Sequence, residues 1–130
     1  MTTQQAEATG AVGPFMDDLA TGGACGDAKP AGAYRAGDFS ALYLERRLAR
    51  FYVSEGSRLR TPQGVAVGSS VAKLSTVPGT RTESPHPYGA GTNVEITTGD
   101  VGYQFTVDNG VVTEWSVGTT EGLALTEGCA

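Results

Sequence analysis

A single histidine is the side chain in this sequence best suited to acid–base chemistry. His86 stands between two prolines in the segment Ser84-Pro85-His86-Pro87-Tyr88, where it could serve as the base of a Ser–His–acid hydrolase. The Gly-x-Ser-x-Gly turn that presents the serine in one large class of such hydrolases does not occur in the sequence. Because proline fixes the backbone on both sides of His86, the segment indicates a rigid loop rather than a catalytic centre.

The adjacent carboxylate pair Asp17-Asp18 is a second possible site. Two neighbouring carboxylates could carry out acid–base chemistry or hold a cation weakly, but the pair is more typical of a solvated acidic turn. Two distant cysteines and one histidine lack the close ligand spacing of a zinc site, and the 19 glycines form no phosphate-binding Gly-x-Gly-x-x-Gly loop after a strand. We therefore predict no catalytic residue, no metal ligand and no cofactor.

The two cysteines, Cys25 and Cys129, lie far apart, each in a glycine-containing stretch typical of loops. Cys129 is next to the chain end, a region that frays unless something holds it. A disulfide that closes so long a loop would stabilise the folded state by about 4–5 kcal/mol in the chain-entropy model. The sequence therefore predicts a Cys25–Cys129 disulfide and an oxidising compartment, with two buried thiols as the alternative.

The composition indicates one small acidic domain. The chain has 130 residues and a net charge of −5. Nucleic acid binding needs a basic surface, whereas the arginine cluster at residues 46–60 is interrupted by Glu55. No apolar run approaches the roughly 20 residues of a membrane-spanning helix, and the residues after Met1 do not form a signal peptide. We therefore expect a single domain over residues 1–130 that binds no nucleic acid and spans no membrane.

Two β-hairpins are the most strongly patterned elements of the chain. Apolar and polar residues alternate over residues 102–107 and 111–117. Asp108-Asn109-Gly110 between them is a strong hairpin signal, because Asn and Gly tolerate a positive φ. Residues 39–53 show the same form, with Glu45-Arg46 at the turn.

The two hairpins also resemble each other in sequence. Residues 48–53 align with residues 112–117, and an aromatic residue, Phe51 or Trp115, stands two positions before the last valine of each segment. We therefore predict that Phe51 and Trp115 are equivalent core residues. Repetition of this kind is typical of an internal duplication.

A short helix is predicted upstream of each hairpin. The first begins at the chain start, where Thr2 and Gln5 fit a capping box. The second lies within residues 68–79 and would be capped by Ser69 or Ser70.

Together these elements predict an α+β fold with two layers. Two tandem repeats, at about 1–60 and 61–130, would each contribute a helix and an antiparallel meander, giving one sheet with the helices on one face. Within the second repeat, residues 78–92 are expected to form a long loop, followed by a strand at 93–97.

The predicted helix openings resemble those of β-lactamase inhibitor protein-like repeats. The resemblance is carried by the chain start, Met1-Thr2-Thr3-Gln4-Gln5-Ala6, and by Gly68-Ser69-Ser70 followed by Leu74 and Gly79. The small lipoproteins of outer-membrane assembly are similar in the same respect, and the last hairpin and tail resemble secreted or lipid-anchored actinobacterial proteins. The resemblance implies tandem helix-plus-sheet units that share one continuous sheet. The chain departs from it at Met1, which stands where a family member would already be in its first helix.

Strand alternation divides the hairpin residues between two faces of the predicted sheet. The face against the helices would carry Ala49, Phe51, Val53, Phe105, Val107, Thr113, Trp115 and Val117. The opposite face would carry Arg50, Tyr52, Gln104, Thr106, Glu114 and Ser116. A two-layer fold leaves that second face open to solvent, and tyrosine and arginine are enriched where proteins bind proteins.

We therefore predict a secreted or envelope-associated protein-binding or scaffold domain without catalytic activity. The predicted binding residues lie on the open sheet face and in the loop at its rim: Arg50, Tyr52, Gln104, Glu114, His86 and Tyr88. The alternative functions are a small hydrolase with its site near His86 and a protein inhibitor of an extracellular enzyme.

Overall fold

One antiparallel sheet contains all the strands of the described structure. The computed structural model of the protein describes residues 2–13, 16–17, 25–32, 34–35, 37–87 and 89–125. The strands are β1 (Met16–Asp17), β2 (Cys25–Ala28), β3 (Ser40–Leu44), β4 (Arg47–Val53), β5 (Thr80–Pro85), β6 (Thr92–Thr98), β7 (Val101–Asp108) and β8 (Val111–Thr119). Their order across the sheet is β1-β2-β3-β4-β8-β7-β6-β5. Each half of the chain therefore forms a four-stranded meander, and the two meanders meet where β4 pairs with β8.

The helical segments are too short to form a second layer. They are α1 (Thr3–Ala8), a 3-10 helix (Val71–Thr76) and α2 (Thr120–Leu123). The prediction of a two-layer α+β fold with helices on one face is therefore wrong, and the protein has a mainly β fold. The prediction fails because the helical segments are short. A helical segment of at most six residues makes no more than about two turns and buries little apolar surface. In the described part of the chain, no helix has the length and apolar character needed to cross a membrane.

The caps of the two longer helical segments are as predicted. In α1, the Thr2 backbone N–H donates to Gln5 Oε1 at 2.9 Å, and the Gln5 N–H donates to Thr2 Oγ1 at 3.2 Å. Ser70 caps the 3-10 helix by accepting from the Ala72 N–H at 3.3 Å. Each segment contributes one deeply buried residue to the core, Ala6 or Leu74.

The apolar core lies against the aromatic residues of the central strands. Trp115 is buried and contacts Tyr103 and Phe105, with ring centroids 6.1 Å and 6.5 Å away. Phe51 is partly buried and packs against the same core cluster. The prediction of a core position is therefore confirmed for Trp115, whereas Phe51 lies at the edge of the cluster.

A β-bulge overturns the face predicted for Thr113. Thr106 pairs with Glu114, but the next residue of β7, Val107, pairs with Val112, which leaves Thr113 as the extra residue of β8. Thr113 is consequently exposed, and Val112 is buried in its place. Strict alternation through the whole strand was therefore wrong at this point.

The loop predicted over residues 78–92 is also wrong in part. Residues Thr80–Pro85 form β5, which pairs with β6 along its whole length. Every residue of β5 is exposed, because the strand lies at the edge of the sheet. Asp17, half of the acidic pair, belongs to β1 rather than to a turn, and Asp18 lies outside the described residues.

Candidate binding site

Two rows of polar residues cross the middle of the sheet on the face opposite the aromatic core. The strand register places Tyr52 beside Ser116, Ser116 beside Gln104, and Gln104 beside Glu95. A second row runs beside the first. It consists of Asn93 on β6, Thr106 on β7 and Glu114 on β8. Because directly paired residues point to the same side of a sheet, β6, β7, β8 and β4 together build one polar surface.

Arg50 occupies one end of this surface and is held by a dense set of hydrogen bonds. Its Nε donates to Ser116 Oγ at 2.9 Å, and one terminal nitrogen donates to Gln104 Oε1 at 2.6 Å. The other terminal nitrogen donates to three backbone carbonyls within residues 122–125. They are Gly122 at 3.3 Å, Leu123 at 3.2 Å and Leu125 at 2.7 Å. The guanidinium therefore ties α2 and the residues after it to the sheet.

Burial of Arg50 corrects the prediction that this sheet face is fully open. Only 5% of the residue is exposed, because the chain from α2 to Leu125 covers it. Gly122 permits that close approach, since a Cβ there would collide with the Ala49 backbone oxygen. Gly118 on β8 meets the same oxygen from the paired strand. Burial lowers the pKa of Arg50, while the nearby Tyr52 and the carboxylates of Glu114 and Glu95 raise it.

Tyr52 lies next to Arg50 and presents a hydroxyl to the same surface. The guanidinium carbon of Arg50 stands 4.2 Å from the Tyr52 ring centroid, which is a cation–π contact. The Tyr52 hydroxyl is buried and lies close enough to the Arg50 guanidinium to interact with it. Burial raises the pKa of Tyr52, although the Arg50 charge opposes the shift.

The opposite end of the surface is open and acidic. The Glu114 side chain is 52% exposed, in contrast to the covered Arg50. Its Oε1 lies 3.3 Å from the Thr106 hydroxyl and 3.9 Å from His86 Nε2. The same hydroxyl lies 3.1 Å from Asn93 Oδ1, so its one proton can be donated to either oxygen. Glu114 is therefore positioned by its neighbours and remains accessible from solvent.

A small cleft of about 90 Å³ joins the two ends of this surface, and we call it the sheet cleft. Five predicted binding residues line it: Arg50, Tyr52, Gln104, Glu114 and His86. The sixth, Tyr88, lies outside the described residues. Four further lining residues were not predicted, and they reach the cleft from a neighbouring strand, a loop and the C-terminal segment: Asn93, Ser54, Leu123 and Leu125.

The donors in the sheet cleft suit hydrogen bonding and ion pairing. His86 Nε2 lies 3.9 Å from Glu114 Oε1, and the Thr106 hydroxyl lies within hydrogen-bond distance of two side-chain oxygens. Among the described residues, no three His, Cys, Asp or Glu side chains group together as metal ligands would. Cys25 is buried on β2, whereas Cys129 lies outside the described residues, so the disulfide stays a prediction.

Comparison with known proteins identifies a related fold and no family. No protein-family model matches the chain, and no curated protein matches it. Among solved structures, the chain is similar to a cysteine-rich secretory protein from Staphylococcus aureus subsp. aureus Mu50, with a TM-score of 0.56 and 12% sequence identity. The match covers 95% of this chain and 45% of that one, so this chain spans less than half the length of its structural neighbour. At this identity the likeness shows the fold alone.

Proposed function

We propose that this protein is a non-catalytic binding domain that holds a protein partner at the sheet cleft. The observation that carries the proposal is the polar sheet cleft itself, in which Glu114 stays half exposed while Arg50 holds Gln104 and Ser116 in place. Side chains that are fixed before a partner arrives lose little conformational entropy on binding.

The distribution of exposed groups supports binding over catalysis. Arg50 is committed to carbonyl and side-chain oxygens, so it cannot move to stabilise charge in a reaction. Glu114 is half exposed beside a rigid strand pair and offers a fixed acceptor to a partner. Fixed polar groups around a small cleft give specificity to an interface without any chemical step.

A secreted or envelope-associated location is part of the proposal. Its support is the predicted Cys25–Cys129 disulfide, which would persist only in an oxidising compartment. Non-reducing mass analysis of the purified protein tests this part. The disulfide predicts a mass two hydrogens below that of the reduced chain, and two alkylatable thiols in the unfolded, unreduced protein would contradict it.

Capture of a partner from the extracellular and envelope fractions of the producing organism tests the binding function. We expect the immobilised wild-type protein to retain a partner that Glu114→Arg loses, because charge reversal at the open end of the cleft would repel the same surface. Glu83→Arg is the matched control, since it makes the same change of charge at an exposed position of the edge strand β5. Equal retention by all three proteins would contradict a partner site at the cleft.

A further inference from the structure

The edge strand β5 presents one row of backbone groups to the open side of the sheet. His86 follows β5, and its N–H donates to the Gly91 carbonyl at 3.1 Å, which extends the register between β5 and β6. Backbone groups alternate in direction along an antiparallel strand, so the N–H and C=O of Thr82 also point to β6. The N–H and C=O groups of Arg81 and Glu83 therefore point to the edge, where no other described strand pairs with β5.

The side chains of the same two residues carry opposite charges. Arg81 and Glu83 point to one side of the sheet, are both exposed, and form an ion pair at 2.8 Å. Charges on an edge strand normally prevent pairing, because a foreign strand would place apolar or like-charged groups beside them. A strand that carries the opposite order of charges meets both residues favourably. A second copy of β5 has that order when it runs antiparallel to the first.

The two charges and Pro85 select one register for β5 and a second copy of itself. Within β5, the free backbone groups allow Arg81 to pair with Arg81, Glu83 or Pro85 of the copy. Pairing Arg81 with Arg81 opposes like charges, and Pro85 has no N–H to donate. Pairing Arg81 with Glu83 joins opposite charges, and a two-fold axis repeats that contact. The same axis places Thr82 against Thr82 of the copy, which is a favourable cross-strand pair.

We propose that the protein forms a symmetric dimer in which β5 pairs antiparallel with β5 of a second copy. Arg81 of each copy would exchange backbone hydrogen bonds and form an ion pair with Glu83 of the other. The two eight-stranded sheets would then become one continuous sheet. A single short strand pair makes a small interface, so the dimer is expected to be weak and reversible. No residue of β5 lines the sheet cleft, and this interface is therefore separate from the proposed partner site.

Sedimentation velocity of the purified protein, at concentrations up to the millimolar range, tests the dimer. We expect the wild type to shift from the mass of a monomer towards that of a dimer as its concentration rises. Arg81→Glu and Glu83→Arg each create a like-charge pair twice, so each should weaken dimerisation by about tenfold or more. Glu55→Arg is the matched control for Glu83→Arg. It makes the same change of charge at an exposed turn and should dimerise as the wild type does.

Restoring the order of charges tests the register. An equimolar mixture of Arg81→Glu and Glu83→Arg opposes unlike charges in the mixed dimer, and the double variant Arg81→Glu/Glu83→Arg does so in a dimer of one chain. Both should regain the wild-type tendency to dimerise. Amide hydrogen exchange tests the backbone pairing. The amides of Arg81 and Glu83 should gain protection as the concentration rises, whereas the Thr82 amide, which bonds to β6, should be protected throughout.

Two results would overturn the dimer. They are a wild type that stays monomeric at millimolar concentration and single charge reversals that dimerise as well as the wild type. Loss of the dimer in both single variants without recovery in the mixture or the double variant would overturn the proposed strand pairing. Capture of a partner by the Glu83→Arg monomer reports on the proposed function alone. A crosslink between two copies has twice the mass of the chain, which distinguishes it from an adduct with a different protein.

Discussion

The two central hairpins, β3–β4 and β7–β8, share a backbone plan and differ in what covers them. Each turns through two residues with positive φ, Glu45-Arg46 in the first and Asn109-Gly110 in the second. In each hairpin the third residue after the turn is the extra residue of a β-bulge, Ala49 or Thr113. Equal turns followed by equal bulges give both hairpins the same local twist and the same change of face.

Each helical segment also docks on its own hairpin in the same way. The Thr3 N–H donates to the Arg46 carbonyl at 3.0 Å, and the Val71 N–H donates to the Gly110 carbonyl at 2.9 Å. The cap residues Thr2 and Ser70 form isolated bridges to the first strand residue after each turn. These matching contacts support the predicted internal duplication.

The residue that follows each bulge shows where the halves diverge. In the first hairpin it is Arg50, buried under the C-terminal segment, and in the second it is Glu114, half exposed. The same backbone position has therefore become a structural clamp in one half and an accessible carboxylate in the other. A covering segment, rather than the sheet itself, therefore decides which half remains available for binding.

The largest expected effect is a difference in stability between alanine variants of Trp115 and Phe51, the aromatic residues at equivalent positions of the two hairpins. Trp115→Ala should lower the free energy of unfolding by about 3–5 kcal/mol, because Trp115 is buried against Tyr103 and Phe105. Phe51→Ala should cost less, because Phe51 is only partly buried. Denaturant unfolding of both variants measures the difference, and equal losses would show that the two halves are equally packed.

A second prediction compares the contributions of Arg50 and Glu114 to stability. Arg50→Met should lower the free energy of unfolding by about 3 kcal/mol, because it leaves the carbonyls of Gly122, Leu123 and Leu125 without their charged donor. Glu114→Gln should change stability by less than about 0.5 kcal/mol, as is usual for an exposed side chain. Thermal unfolding of the pair checks the contrast. A stable Arg50→Met variant would contradict the role of Arg50 as a clamp.

The smallest expected effect concerns the turns. Glu45 adopts a positive φ of 49°, a conformation that costs most side chains about 1–2 kcal/mol and that asparagine tolerates better. Glu45→Asn should therefore raise the free energy of unfolding by about 0.5–1 kcal/mol, and Asn109→Glu should lower it by a similar amount. Equal and opposite shifts in denaturant midpoint would confirm that the turns are equivalent. Shifts in the same direction would contradict the equivalence of the two turns.

Local patterns predicted the hairpins well because their signals lie within a few residues. Alternation with a two-residue turn predicted β4, β7 and β8, and it placed Arg50, Tyr52 and Glu114 on one face before any contact was known. The edge strand β5 was not predicted, because its sequence Thr-Arg-Thr-Glu-Ser-Pro lacks the alternation of apolar and polar residues. The structure shows why, since all six residues are exposed. The predicted fold class was wrong for another reason. The capping residues marked where each helix begins, but no local pattern showed that each helix ends after six residues.

Local sequence patterns could not predict features that depend on contacts between residues far apart in the chain. The bulge at Thr113 shifts the faces of β8 without any proline or glycine to mark it. Burial of Arg50 depends on carbonyls of Gly122, Leu123 and Leu125, which lie more than seventy residues later in the chain. Alternation alone therefore predicted an exposed arginine where the structure has a buried one.

Photo-crosslinking tests the proposed sheet cleft site most directly. Glu114→p-benzoylphenylalanine places a reactive group at the open end of the cleft, and Glu83→p-benzoylphenylalanine places the same group on the exposed edge strand β5. Both proteins would be irradiated in the extracellular and envelope fractions of the producing organism. A partner site at the sheet cleft predicts a covalent adduct with a partner protein from position 114 and none from position 83. An adduct from position 83 alone, or equal adducts from both positions, would contradict it.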